Sequence, residues 1–212
     1  MGLTLALPKG RLWPDVQALL DRAGLPAIGG LAEDRQLLHD AADGWRYLLV
    51  RPSDVPTFVR EGVADAGVTG KDVLFEDGDG LYEMLDLGIG RSHMAVAVPA
   101  DGPDWARLLA ERGGSLRVAT SYPAAARAFF AAHGLSPRII RLRGSVELAP
   151  QVGLADCIVD LVETGRTLTA NGLREAVAIG PVTARLVANQ QAYRWKGADL
   201  GGLLGRLREV AA

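Results

Sequence analysis

Short apolar runs recur along this chain, and each one ends in a turn that opens a segment with helix signals. Leu3 to Leu7 stops at Pro8, the turn Lys9-Gly10-Arg11 follows, Pro14 stands at a first helical position and Gly24 at a C-terminal stop. Tyr47 to Val50 passes into Arg51-Pro52-Ser53-Asp54 and a helix ending near Gly62. Ala66 to Val68 passes into Thr69-Gly70-Lys71-Asp72. Strands alternating with helices in this way predict an α/β protein with mainly parallel sheet.

Beyond the strand Met94 to Val98, the stretch Pro99-Ala100-Asp101-Gly102-Pro103 is rich in turn residues and suits the entry to a second lobe. A fresh set of signals follows. Leu116 to Ala119, Arg138 to Leu142 and Cys157 to Val162 read as strands, and Ser121 is placed to cap a helix that runs from Pro123 to Gly134. The chain is expected to return to the first lobe between Gly172 and Gly180, with a helical tail of about thirty residues. The predicted division is 1–92 plus 178–212 for the first lobe and 93–177 for the second. No internal repeat or low-complexity segment stands out.

Composition narrows the partners. The 212 residues carry 23 Lys and Arg against 25 Asp and Glu, so no global charge draws the chain to nucleic acid or to an anionic membrane. An anionic ligand must therefore be held by local donors. The single cysteine, Cys157, lies in an apolar run and reads as a core thiol, which suits a reducing, cytoplasmic compartment. No Cys/His spacing suggests a metal site, and no run of 18 apolar residues suggests a membrane span. The N-terminal run has no basic region before it and reads as a strand rather than an export signal. His39, His93 and His133 are scattered, and Trp13, Trp45, Trp105 and Trp195 suit packing or an interface.

Three segments can carry chemistry. In ADCIVDLVETGRTL, from Ala155, an apolar strand ends in Asp160 and Glu163 and turns through Thr164-Gly165-Arg166-Thr167. Main-chain N–H groups, two hydroxyls and a guanidinium there suit a phosphate, and the carboxylates suit sugar hydroxyls. The same residues also fit a plain strand-to-helix turn. Lys9-Gly10-Arg11 places two cations directly after the first strand, suited to polyphosphate oxygens or merely to solvent. Arg143-Gly144-Ser145-Val146-Glu147 fits ordinary capping, or Glu147 beside a ribose or its magnesium ion.

Taken together, LALPKGRL, RPSDVPTFVREGVADAGVTGKDVL, RVATSYPAAARAFF and GSVELAPQVGLADCIVDLVETGRTLTANGL resemble the ATP phosphoribosyltransferase of histidine biosynthesis in its short form. The resemblance implies two lobes like those of type II periplasmic binding proteins, with an active site in the cleft between them. It implies transfer of the phosphoribosyl group of phosphoribosyl pyrophosphate to N1 of ATP, the first step of histidine synthesis. Thr164, Gly165, Arg166 and Thr167 would hold the 5′-phosphate, with Asp160, Glu163 and Glu147 near the ribose. Lys9 and Arg11 would serve catalysis and ATP; Arg35 matches an active-site arginine, and Arg51 and Asp72 match motifs near ATP. No protein metal site is expected, and Mg²⁺ would ride mainly on substrate phosphates.

The short form also implies a homo-oligomer working with a separate regulatory subunit related to histidyl-tRNA synthetase, because the chain stops at Ala212 without room for the long form's regulatory domain. Two positions call for comparison with family usage: Pro8 stands where a small polar residue is also common, and Ser92-His93 stands where many relatives carry cysteine. A solute-binding protein, a transferase acting on another base, and a decayed structural subunit are the competing readings.

Overall fold

The computed structural model describes residues 2–27 and 36–211. The chain divides into two compact units, Met1–Gly90 with Thr183–Ala212, and Arg91–Val182. The return therefore falls at Thr183, beyond the 177/178 boundary read from sequence. The reason is a ten-residue strand that stays in the second unit through Val182.

The first unit runs β1 (Thr4–Pro8), α1 (Trp13–Arg22), β2 (Leu38–Asp40), β3 (Arg46–Val50), α2 (Val55–Arg60), β4 (Ala66–Gly70), α3 (Lys71–Asp77) and β5 (Leu81–Asp86). The second holds β6 (Ser92–Pro99), α4 (Trp105–Arg112), β7 (Arg117–Thr120), α5 (Pro123–Ala132), β8 (Arg138–Arg141), α6 (Leu148–Gln151), β9 (Cys157–Val162), α7 (Arg166–Ala170) and β10 (Leu173–Val182). The chain then re-enters the first unit as β11 (Ala184–Asn189), α8 (Gln190–Trp195) and α9 (Gly197–Val210). The expected helical tail thus begins with a strand, whose residues are apolar enough to fit either element.

Local chemistry explains the helix ends. At the end of α1, Gly24 adopts φ +61. Its N–H reaches Asp21 O at 3.1 Å, while Leu25 N–H reaches Leu20 O at 3.1 Å. That pattern satisfies the last carbonyls through a left-handed glycine. Gly134 closes α5 in the same way, its N–H on Ala131 O and Leu135 N–H on Phe130 O. Ser121 does not cap α5: Tyr122 holds the cap position, and the Ser121 hydroxyl donates to Leu142 O at 3.0 Å.

The sheets are mixed rather than mainly parallel. Their orders are β2-β3-β1-β4-β11-β5 and β10-β6-β9-β7-β8. In each, three central strands run parallel: β3-β1-β4 and β8-β7-β9. Antiparallel pairings extend them: β11 lies against β4 and β5 against β11, while β6 lies against β9 and β10 against β6. Setting β2 aside, the two sheets share one topology.

A repeat that the sequence reading missed lies inside this topology. Gly62-Val63-Ala64-Asp65 precedes β4, and Gly153-Leu154-Ala155-Asp156 precedes β9. Both glycines adopt positive φ, +72 and +70. Asp65 N–H donates to Thr4 O at 2.8 Å and its carboxylate accepts Thr4 N–H at 2.8 Å. Asp156 treats Arg117 identically, at 2.9 and 2.8 Å. Each aspartate thereby sets the register of the parallel pair beside it.

Apolar faces cover both sides of each sheet. Leu3, Leu5 and Leu7 pack with Val16 and Leu19 of α1 and with Leu200 and Leu203 of α9. Full burial of each leucine contributes about 1.5–3 kcal/mol. On the opposite face α2 lies so close that a Cβ on Gly67 would meet Val55 Cγ1 at 2.7 Å and Val59 Cγ2 at 2.9 Å. In the second unit Val118, Cys157 and Val159 pack with Phe130, while Ala119, Ile158 and Val162 face Ala149 and Leu168. Cys157 is the buried core thiol expected; burial, and then the charge of Asp156, push its pKa up to about 12.

Burial alone would raise the pKa of Asp156, but bonds from the Arg117 side chain and N–H, with Arg112 nearby, outweigh it and hold the carboxyl below its ordinary value. A depressed folded pKa means that this stabilisation is present above the unfolded value, about 4, and is lost as pH falls through the folded one. Asp156→Asn should cost about 2 kcal/mol at pH 7 and flatten the acid limb of urea-denaturation stability below about pH 5. A variant with an unchanged acid limb would show that the aspartate does not anchor β7.

Candidate active site

In open α/β sheets ligands collect where parallel strands end at their carboxyl edge, next to the point where strand order reverses. Each unit has such a point. From β1 the chain goes to β3 on one side and to β4 on the other; from β7 it goes to β8 and then to β9.

In the first unit that edge gathers four of the expected residues. Lys9 follows β1 directly, exposed, with its N–H on Val50 O at 2.8 Å. Arg11 lies two residues on, also exposed, after Gly10 at φ +88. Arg51 follows β3 and caps the short turn Pro52–Asp54. Asp72 is buried in the first turn of α3, after β4. The side chain of Asp72 folds back over Gly70, where an added Cβ would lie 2.0 Å from its Oδ1. Buried Thr69 fastens this edge by donating to Pro52 O at 2.9 Å. Arg35, the fifth expected residue, lies outside the described residues.

In the second unit, Glu147 occupies the N-cap position of α6, after β8. It lies two residues past Ser145, whose φ of +50 is uncommon for a residue with a Cβ. Glu163 leaves β9 exposed, and Thr164, Gly165, Arg166 and Thr167 form the turn into α7. Asp160 sits within β9, not in the turn, and its carboxylate accepts Leu161 N–H at 2.9 Å.

The turn itself is shaped for an anion. Gly165 is left-handed, φ +72 and ψ −3, and Arg166 opens the right-handed helix α7. Successive residues of opposite hand aim their N–H groups into one concavity. Among the described residues, the N–H groups of Thr164, Gly165, Arg166 and Thr167 donate to no other protein group. The α7 helix has only five residues, so its dipole adds little, and the open N–H groups carry the attraction.

Sequence reasoning missed the groups that brace this turn. Thr169 N–H and hydroxyl both reach Gly165 O, at 3.0 and 3.2 Å. Asn171 Nδ2 donates to Thr167 O at 2.9 Å, and Gln151 Nε2 of α6 donates to Asn171 O at 2.7 Å. The pair Asn171-Gly172 was readable as a helix stop, but nothing in the sequence links Gln151 to it.

The histidines take structural places: His39 on Gln36 O, His133 on Phe129 O, and His93 beside Glu175 at 2.9 Å. A groove of about 500 Å³ lined by Leu25, Asp43, Trp45, Asp199 and Arg206 lies toward the amino ends of β1 and β3 and includes none of the candidate residues. Among the described residues no three His, Cys, Asp or Glu side chains cluster to hold a metal ion. No described helix is long and apolar enough to cross a membrane.

Fold comparison defines the class first: two-unit α/β proteins of the type II periplasmic-binding-protein kind. The sulphonate-binding protein SsuA of Escherichia coli superposes with a TM-score of 0.60 at 16% identity, covering 100% of this chain and 72% of SsuA. The periplasmic VFT2 domain of Bordetella pertussis BvgS gives 0.61 at 16% identity, covering 99% of this chain and 88% of that one. Sequence then narrows the class. The family model HisG, ATP phosphoribosyltransferase, matches residues 51–209, and the chain belongs to that family. The ATP phosphoribosyltransferase of Moorella thermoacetica is 48% identical over 99% of this chain and 93% of its own length. That of Geobacillus kaustophilus is 46% identical over 98% of both chains. The ATP phosphoribosyl transferase (HisG:HisZ) complex of Thermotoga maritima contains a chain with a TM-score of 0.81 at 36% identity, covering 99% of this chain and 98% of that one.

A Cβ at position 165 imposes a left-handed penalty of about 1–2 kcal/mol, relieved only if the turn reshapes. Gly165→Ala should therefore weaken binding of a sugar phosphate about tenfold by calorimetry while the thermal midpoint moves only a few degrees. Equal affinity in variant and parent would show that the turn is not the phosphate cradle.

Proposed function

We propose that this chain joins ATP to phosphoribosyl pyrophosphate, releasing pyrophosphate and forming phosphoribosyl-ATP, the opening step of histidine synthesis. The observation that carries this reading is the run of four unpaired N–H groups at residues 164–167, preceded by carboxylates, in a chain of this family.

In this reading the turn Thr164-Gly165-Arg166-Thr167 clasps the 5′-phosphate. Glu163, Asp160 and Glu147 accept hydrogen bonds from ribose hydroxyls. Lys9 and Arg11, with Arg35, Arg51 and Asp72, serve ATP and the leaving pyrophosphate. N1 of the adenine forms the new bond to C1 of the sugar as the bond from C1 to pyrophosphate oxygen breaks. The electron pair leaves with pyrophosphate, and the sugar carbon carries positive character between the two events. No protein nucleophile is required, so the side chains act by positioning and by charge stabilisation. The donor set suits Mg²⁺ bound mainly through substrate oxygens, because it offers a few separate carboxylates rather than a cage. Glu147, beside the ribose or its magnesium ion, is the residue that would touch the ion, which supplies neutralisation of phosphate charge.

The Thermotoga relative is a HisG:HisZ complex, which supports a HisZ-type regulatory subunit, related to histidyl-tRNA synthetase, as the partner of a homo-oligomer of this chain. Its place of work in this reading is the cytoplasm, with neither nucleic acid nor membrane as partner.

The direct test mixes purified chain, alone and with such a partner, with both substrates and follows phosphoribosyl-ATP by absorbance. Absence of product under both conditions would overturn the proposal. Arg11→Ala should lower kcat about 100-fold, because charge on the leaving group grows in the transition state. Thr167→Ala should raise KM for phosphoribosyl pyrophosphate about tenfold and leave that for ATP within twofold. Equal losses for the two substrates would remove the turn from the phosphoribosyl site.

A further inference from the structure

We propose that Asp86 is a positioning residue for the transfer reaction, pinning together the two strands by which the chain leaves and re-enters the first unit.

β5 ends at Asp86, and residues 87–91 lead to β6 in the second sheet. On the return path Thr183 is the single residue between β10 of the second sheet and β11 of the first. The outgoing and returning passages are laced side by side. Asp86 stands opposite Arg185 in the β5–β11 register, and Ser92 stands opposite Val182 in the other sheet.

Asp86 lies where these passages meet. Its Oδ1 accepts the Thr183 hydroxyl at 2.8 Å and Gly88 N–H at 3.0 Å. Its Oδ2 pairs with Nη1 of Arg185. The Nε of Arg185 is buried, 3.4 Å from Glu83 Oε1, near enough for attraction but without a hydrogen bond. Glu83 Oε2 in turn meets Lys71 Nζ at 2.5 Å. Lys71 N–H also donates to Thr183 O at 3.0 Å. One neutral network of two acids and two bases therefore runs from the first turn of α3, beside Asp72, to both passages.

Burial alone would raise the pKa of Asp86, but Gly88 N–H, the Thr183 hydroxyl and Arg185 outweigh it and hold the carboxyl below its ordinary value. The carboxylate is thus charged wherever the enzyme would work.

Backbone rotation at a few residues between units is what a hinge consists of. The returning passage offers Thr183, and Asp86 holds its side chain while Lys71 holds its carbonyl. A reaction that needs two substrates aligned loses about 100-fold in rate from misplacement near 1 Å, so freeing this passage should reduce turnover more than affinity. The kinetic part rests on the transfer activity proposed above, and not on any single assignment in the substrate site.

The test labels Arg127→Cys and Arg208→Cys, exposed positions in α5 and α9, with spin probes in the full chain. Buried Cys157 leaves these as the reactive thiols. Double electron–electron resonance then reads the distance distribution between the units, and steady-state kinetics on unlabelled protein read kcat and both KM values. Asp86→Ala should broaden the distribution and lower kcat at least tenfold, with each KM within threefold. Thr183→Val, which removes only the hydroxyl, should move both readouts in the same direction by less, and it serves as the deciding variant if Asp86→Ala does not fold. Folded variants with the parental distribution and kcat within twofold would overturn the role. Failure of the activity reading would look different: the unsubstituted chain would form no product, while the distance measurement, which needs no substrate, would still respond.

Discussion

Asp65 and Asp156 each grip the first residue of a neighbouring parallel strand twice, through their own N–H and through a carboxylate oxygen. A parallel pair has no hairpin to set its register, so an anchor at the amino end decides where both strands finish. In the first unit that anchor places Lys9 and Asp72 at the ends of adjacent strands. In the second it sets Thr120 of β7 opposite Val159 of β9, three residues before β9 ends at Val162. Arg117 adds its guanidinium to Asp156, while Lys196 reaches Asp65 at 2.7 Å from the far end of the chain. The two carboxylates are therefore solved differently within the same backbone pattern.

Because both anchors sit at amino edges, the opposite edges are left free for ligands. Cations gather at one of them: Lys9, Arg11 and Arg51 follow β1 and β3. The other carries acids and a cradle of open N–H groups. An enzyme handling two polyphosphates needs strong local charge without a strongly basic surface, and a net charge of −2 is compatible with that arrangement. Neutral main-chain donors make the difference in the second unit. In the proposed site they would receive an oxyanion without the desolvation cost of another buried cation.

Rigidity is concentrated in the supports of the site rather than in its contact groups. Gly165, Thr167, Thr169, Asn171 and Gln151 form one braced assembly, whereas the side chains of Lys9, Arg11, Arg51, Glu163 and Arg166 are exposed. The passages between the units show the same economy, with one carboxylate meeting a hydroxyl, a main-chain N–H and a guanidinium. Fold likeness at 16% identity to periplasmic binding proteins speaks only to architecture; the family follows from the sequence matches over nearly the whole chain.

Much of this was legible in the residues themselves. Glycines at helix ends, apolar runs such as Cys157–Val162, and the Thr-Gly-Arg-Thr turn depend on local backbone sterics and hydrophobic period, which neighbouring residues alone determine. Family resemblance was readable for the same reason, since it is a property of the ordered letters. Other features depend on partners distant in the chain. Strand direction in β10 and β11, the return at Thr183, the shared role of Asp65 and Asp156, and the bond from Gln151 to Asn171 became visible only once the chain was folded. Ser121 illustrates the limit: its local context favours a cap, but a carbonyl twenty-one residues away claims the hydroxyl. Local sequence thus decided which elements form and where they stop, while tertiary packing decided which ends meet, because register and hydrogen-bond partners are settled by the whole sheet and not by any one strand.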